Sequence, residues 1–148
     1  MSKILNKPWL KNYPKGVAST INFDEYSSLV DMFEKTCKRF SSNKAFTNFG
    51  VSLTFNEIYT KSLNLSLFLQ NELNLSKGSR VAIMMPNILQ YPISTFGILK
   101  AGLIVENINP LYTVRELEMQ LINSKSETII ILENFAYLIE QIAHRTSI

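Results

Sequence analysis

Cysteine, histidine and tryptophan each occur once in these 148 residues, and glycine only five times. A single cysteine, Cys37, excludes an intramolecular disulfide and any multi-cysteine metal centre. With the lone histidine, His144, near the carboxyl end, the chain has too few ligands for a zinc site of these side chains. Cys37 reads as a small hydrophobe on a helix face. The glycines, Gly16, Gly50, Gly78, Gly97 and Gly102, stand singly with no cluster of hydroxyl residues beside them. No stretch therefore offers the succession of backbone donors that wraps a polyphosphate.

Acid is missing from residues 1–23, which hold Lys3, Lys7, Lys11 and Lys15 and so carry +4, while the remainder sums to −1. The basic pI of about 9.0 belongs to that arm. Nucleic-acid binding would want Lys and Arg gathered on the folded body, so no nucleic-acid partner is expected. Ile4, Leu5, Trp9, Leu10 and Tyr13 lie among the lysines, a mixture suited to an anionic lipid surface. The favoured alternative is a solvated leader whose Trp9 packs back on the body. No apolar stretch of signal-peptide length follows the first lysines.

Charge is also missing from Val81 to Leu99, a run long enough to suggest a membrane span. Pro86 and Pro92 interrupt it, with Asn87 and Gln90 between. Val81–Met85 reads instead as a strand buried on both faces, and residues 88–100 as a helix covering it.

What is present is a regular pattern. Ser28 followed by Asp31 opens a helix over about 28–40, with Val30, Phe33, Cys37 and Phe40 at helical spacing. Residues 45–48 and 51–53 flank Gly50 as a hairpin. Thr54 and Glu57 form a capping box for a helix with Ile58, Leu65, Leu69 and Leu73 on one side, and Lys77-Gly78 closes that passage. Strand 80–85, helix 88–100, strand 103–107, helix 113–124 (capped by Thr113 and Glu116), strand 128–132 and helix 135–143 (capped by Asn134) then alternate. Gly102 supplies the stop of helix 88–100. Such alternation predicts an α/β fold with a partial parallel sheet and flanking helices. Three strands leave apolar edges exposed, which suggests part of a larger domain.

Two strings carry a family resemblance. Leu53–Ile58 (LTFNEI) resembles the first core motif of the adenylate-forming, AMP-binding enzymes. Leu99–Pro110 (LKAGLIVENINP) resembles their second, and Gly78–Ile83 (GSRVAI) falls between them in the usual place. Tyr26–Glu34 (YSSLVDMFE), Met84–Pro92 (MMPNILQYP) and Asn109–Leu117 (NPLYTVREL) are similar to the bacterial long-chain fatty acid–CoA ligases, as is the leader with Trp9 and Tyr13-Pro14. The likeness runs from about residue 8 to residue 143. It implies the N-terminal subdomain of the adenylate-forming fold, with residues 1–25 as a basic, aromatic leader and 26–148 as a portion that stops short of the phosphate loop.

The resemblance further implies a complete enzyme that joins a long-chain fatty acid to coenzyme A through an acyl-adenylate, using ATP and magnesium. It implies a cytoplasmic protein, with the arm able to bring it to the inner face of the membrane. Both motifs are scaffold in that superfamily. The phosphate loop, the magnesium-binding pair and the catalytic lysine have no counterpart here, so no catalytic, cofactor-binding or metal-binding residue is carried over, and no bound cofactor is expected for this chain alone. The alternatives are a non-catalytic module for a membrane surface or a partner subunit, or a truncated gene product. Two positions depart from the pattern. Val114 stands where proline is common. Glu106 stands where an aliphatic residue is usual, and an ionised carboxylate buried without a partner costs several kcal/mol. Glu106 is expected to meet a cation or face an exposed edge, unless the chain is under relaxed constraint.

Overall fold

A computed structural model describes residues 7–148; Lys3, Ile4 and Leu5 of the arm lie outside them. Among the described residues of the arm, Pro8–Asn12 form a 3-10 turn in which no residue is buried. Trp9 is 52% exposed. The expectation that it packs back on the body is therefore corrected.

The body starts at helix α1 (Leu29–Arg39), where the Ser28 hydroxyl accepts from the Asp31 amide. Asp31 does not return the bond to Ser28 but accepts from the Ser27 amide and from Lys35. Phe33 and Cys37 are buried, whereas Phe40 has slipped to the helix cap and is 39% exposed. Strands β1 (Lys44–Asn48) and β2 (Val51–Thr54) form the expected antiparallel hairpin. Its two turn residues, Phe49 and Gly50, both have positive φ (47° and 79°). That suits the turns whose twist matches a hairpin, although such positions favour Asn or Gly over Phe.

Helix α2 (Phe55–Asn71) opens with the complete Thr54–Glu57 capping box. It ends two residues before Leu73, which is 43% exposed rather than part of the apolar face. Ile58, Ser62, Ser66 and Leu69 are its buried positions. The serines keep that face narrow, so α2 lies close to α3 (Gln90–Lys100). Gly97 of α3 has no room for a side chain, because a Cβ there would come within 2.8 Å of Leu65 Cδ2.

Strands β3 (Arg80–Met84), β4 (Ile104–Asn107) and β5 (Thr128–Ile131) form a parallel sheet in the order β4–β3–β5. The chain thus moves from β3 to one neighbour and then crosses to the other. Crossovers of one hand in opposite directions must place their helices on opposite faces, and side-chain alternation shows that they do. Val81, Ile83 and Met85 pack with Leu69, Ile98 and Ala101 on the α2/α3 side. Ala82 and Met84 pack with Leu117 and Leu121 of α4 (Val114–Ser124) on the other. Val81 to Met84 are fully buried, so the uncharged run is core. Among the described residues, no helix is long and apolar enough to cross a membrane.

Helix α5 (Ala136–Glu140) is shorter than its pattern suggested. Asn134 does not cap it, because Glu133–Phe135 form a 3-10 turn and Phe135 occupies the cap without a side-chain bond. A third layer, α1 with the hairpin, joins the others through Phe33, whose ring stacks on Phe96 of α3 at 3.8 Å.

Candidate functional site

Two crossovers of opposite direction, from β3 to β4 and from β4 back across to β5, open a crevice beyond the carboxyl ends of the strands, the place where such sheets receive ligands. Here the chain leaves β3 through Met85-Pro86-Asn87, β4 through Ile108-Asn109-Pro110, and β5 through Leu132-Glu133. Polar side chains hold these segments in place. Tyr91 Oη donates to Asn107 Oδ1 at 2.7 Å, tying the start of α3 to the end of β4. Asn48 Nδ2 donates to the Asn87 carbonyl at 3.3 Å, tying the hairpin to the β3–α3 loop. Asn109 Oδ1 accepts from the Leu111 amide at 3.0 Å, and the Thr113–Glu116 capping box then starts α4.

Two adjoining hollows lie along this end. One, of about 390 Å³, runs between the hairpin and α3 and is walled by Phe46, Ile88, Tyr91, Pro92 and Phe96. The other, of about 310 Å³, lies between α3 and the end of β5, with Met85, Ile88, Ile130 and Leu132 in its wall. Ile88 borders both. Their surfaces are mainly apolar, and Glu133 is the one carboxylate among the residues lining either. Such walls suit aliphatic or aromatic groups, whereas a polyphosphate needs cations or clustered backbone donors.

The glycines stand elsewhere. Gly78 and Gly102 precede β3 and β4 at the opposite end of the sheet, Gly50 sits in the hairpin turn, and Gly97 packs on Leu65. The residues present therefore do not fit a nucleotide's phosphates.

Both core motifs act as local structure. Thr54 and Glu57 begin α2, and Gly102, at φ 77°, follows the end of α3. The second motif also does something its string did not disclose. Lys100 Nζ donates to Glu34 Oε1 of α1 and lies 5.0 Å from the centroid of the Tyr59 ring. Burial works against the ammonium charge, but the Glu34 bond and charge outweigh it and raise the Lys100 pKa. Cys37 lies in the same region. Burial, aided by the Glu34 charge, pushes its thiol up to about 11. It stays protonated at neutral pH and serves as core, not as a nucleophile.

Among the described residues Glu106 meets no cation, but it lies on β4, an edge strand of the sheet. It is half-buried on β4 and accepts from Gln120 Nε2 at 2.6 Å and from Ser126 Oγ. Of the arm lysines, Lys7, Lys11 and Lys15 are exposed, and Lys3 lies outside the described residues.

A family model described as "AMP-binding enzyme" matches residues 33–147. The long-chain-fatty-acid–CoA ligase of Escherichia coli O157:H7 is 49% identical over 144 residues, which is 97% of this chain and 26% of the relative. The ligase of the same description from Bacillus subtilis is 41% identical over 127 residues, 86% of this chain and 22% of the relative. The chain thus spans about a quarter of the length of the curated relatives it matches. Among solved structures, the anthranilate CoA ligase AuaEII in complex with anthranoyl-AMP superposes with a TM-score of 0.76 at 25% identity, over 80% of this chain and 23% of that one. A long-chain-fatty-acid-CoA ligase from Archaeoglobus fulgidus gives 0.72 at 22% identity, over 82% and 26%.

Proposed function

The chain belongs to the AMP-binding enzyme family, and on that premise we propose that it is the amino-terminal scaffold of a long-chain fatty acid–CoA ligase, with the acyl-transfer chemistry supplied by other residues. The observation that carries this is the pairing of similarity along nearly the whole chain with a crevice unsuited to phosphate. The chain matches the ligases over 97% of its own length, yet the walls at the strand ends hold aromatic and aliphatic groups with one carboxyl. Residues 26–148 form the scaffold portion and residues 1–25 the leader. No residue of either is assigned a catalytic, cofactor-binding or metal-binding role. In the complete protein, ATP, magnesium, coenzyme A and a long-chain fatty acid would meet at residues other than these.

ATP–pyrophosphate exchange dependent on palmitate tests this. The purified chain is expected to show no exchange above buffer. Saturable, fatty-acid-dependent exchange by the chain alone would overturn the reading.

A second role belongs to the leader and is favoured by its exposure. Trp9, Tyr13 and Val17 are 52%, 43% and 54% exposed, interleaved with Lys7, Lys11 and Lys15. Apolar side chains between cations suit the interface of an anionic bilayer, so this arm would bring the protein to the inner membrane face. Vesicles of phosphatidylglycerol and phosphatidylcholine should retain the chain at low salt. Replacing Lys3, Lys7, Lys11 and Lys15 with glutamine should release it, and unchanged retention would dispose of the idea.

A further inference from the structure

The hollow between the hairpin and α3 holds about 390 Å³, within the roughly 300–1,000 Å³ of pockets that take small molecules. Its floor is firm. Phe96 lines it and stacks face to face on Phe33 at 3.8 Å, so packing from behind holds the ring in place.

The polar side chains of the wall are already engaged, with one exception. Tyr91 Oη donates to Asn107 Oδ1, and Thr95 Oγ1 donates to the Tyr91 carbonyl at 3.0 Å. Thr47 Oγ1 and Ser52 Oγ share a bond at 2.8 Å, and Asn48 Nδ2 donates to the Asn87 carbonyl. The exception is the Asn87 side chain, which is exposed and so stands at the rim. Among the described residues lining this hollow there is no lysine, arginine, aspartate or glutamate.

These walls select by chemistry. A charged group placed inside would lose its water and gain no counter-charge. A polypeptide segment brings an N–H and a C=O with nearly every residue, and the wall's side chains leave nothing free to meet them. A sugar or a nucleotide brings more polar groups still. A hydrocarbon chain brings none, and its burial is favourable in proportion to the area removed from water. Shape separates a chain from a ring. A second apolar hollow, of about 310 Å³, continues beyond Ile88, so the path is extended rather than compact.

We propose that the hollow between the hairpin and α3 binds one unbranched alkyl chain of a dissolved, single-chain amphiphile. The tail lies against Phe96 and Pro92, and the head group stays in water beside Asn87. No reacting group is placed here. Binding of this kind is independent of the scaffold reading above, because this chain alone supplies the walls.

The test is fluorescence of the full chain carrying Trp9→Phe and Phe46→Trp, which moves the single indole into the wall. Monomeric 12-bromododecan-1-ol should quench it saturably. Dodecanol and dodecanoate should displace the probe with affinities within about five-fold of one another, because the head group is not recognised. Shortening the competing alcohol should weaken displacement roughly two- to four-fold for each methylene removed. Pro92→Glu sets a carboxylate in the wall within the first turn of α3, where an acid suits the helix. It should weaken binding at least ten-fold with an unchanged circular dichroism spectrum, and Leu89→Glu should do the same if the first variant fails to fold. Met119→Lys, on exposed α4 surface, should change nothing. Absence of saturable quenching, a larger difference between alcohol and acid, indifference to chain length, or full binding by a folded glutamate variant would each overturn the proposal. So would quenching by vesicles of acyl-brominated phosphatidylcholine without quenching by the monomer, which would mean a bilayer contact of the hairpin instead. Pyrophosphate exchange by the unaided chain would overturn the scaffold reading and leave this binding untouched.

Discussion

The carboxyl group of Glu106 accepts a hydrogen bond from the hydroxyl of Ser126, a fully buried side chain twenty residues further along. Gln120 completes the arrangement from α4, and Ser124 donates to Ser126 from the other side. The carboxylate that follows Ile104 and Val105 in β4 is thereby provided with neutral donors from α4 and the loop that follows it. Removing Glu106 leaves the buried Ser126 hydroxyl without its acceptor, and removing Ser126 takes a donor from the half-buried carboxylate, at a cost of about 1–3 kcal/mol. Ser126→Ala and Glu106→Val should each destabilise by that amount in urea unfolding. The double variant should lose less than the two summed, because it removes both halves of the bond. Strict additivity would show that the contact contributes nothing.

Close approach of α2 and α3 depends on Gly97. A methyl group there would meet Leu65 not only at Cδ2 (2.8 Å) but at Cβ and Cγ (both 3.0 Å), so a change of rotamer alone gives no relief. Gly97→Ala should destabilise by about 1–3 kcal/mol despite the higher helix propensity of alanine. A neutral or stabilising result would mean that the helices separate freely.

The capping boxes make stability depend on pH. Bonds from the Thr54 amide and hydroxyl hold the Glu57 carboxyl below its ordinary 4.5, and the Thr113 hydroxyl and amide do the same for Glu116. Carboxyls with depressed folded values stabilise fully above the unfolded value and lose that contribution as pH falls through the folded one. The Glu57→Gln/Glu116→Gln variant should therefore be less stable than the parent at pH 7. The gap in urea midpoint should begin to close below about pH 4.5 and continue to close toward pH 3. A gap constant with pH would contradict the assignment.

Cys37 should resist modification. With the thiol at about 11 and the side chain buried, labelling by Ellman's reagent at pH 7.5 should be slow in the folded chain and complete within minutes in 6 M urea. Fast labelling without urea would place the thiol outside the core.

The strand and helix alternation was legible because its signals are local. Three hydroxyl caps and the two-residue and 3.6-residue periods all act within one element, and the elements they marked begin within about two residues of the expected starts. Contacts between distant positions were not legible. Glu34 and Lys100 meet across 66 positions, and either reads alone as a solvated charge. Glu106 drew attention as a carboxyl in an aliphatic strand, but Ser126 and Gln120 carry no signal of their own. Leu73 continues the spacing of α2 although the chain has already turned there, with Asn74 at φ 51°. Asn134 has a good cap chemistry, but the 3-10 turn it joins shifts the helix start past it. Trp9 shows the limit of composition, since an aromatic residue among lysines can be buried or exposed with equal ease. The crevice was not legible in the sequence. Its apolar walls required the fold.

The most direct measurement is the activity of a chimera in which this chain replaces the matching 144 residues of the Escherichia coli O157:H7 ligase. If the chain is a scaffold for that chemistry, the chimera should form palmitoyl-CoA with a kcat/KM within about ten-fold of the parent, while neither the chain alone nor the ligase lacking this portion does so. A folded chimera without activity would contradict the account.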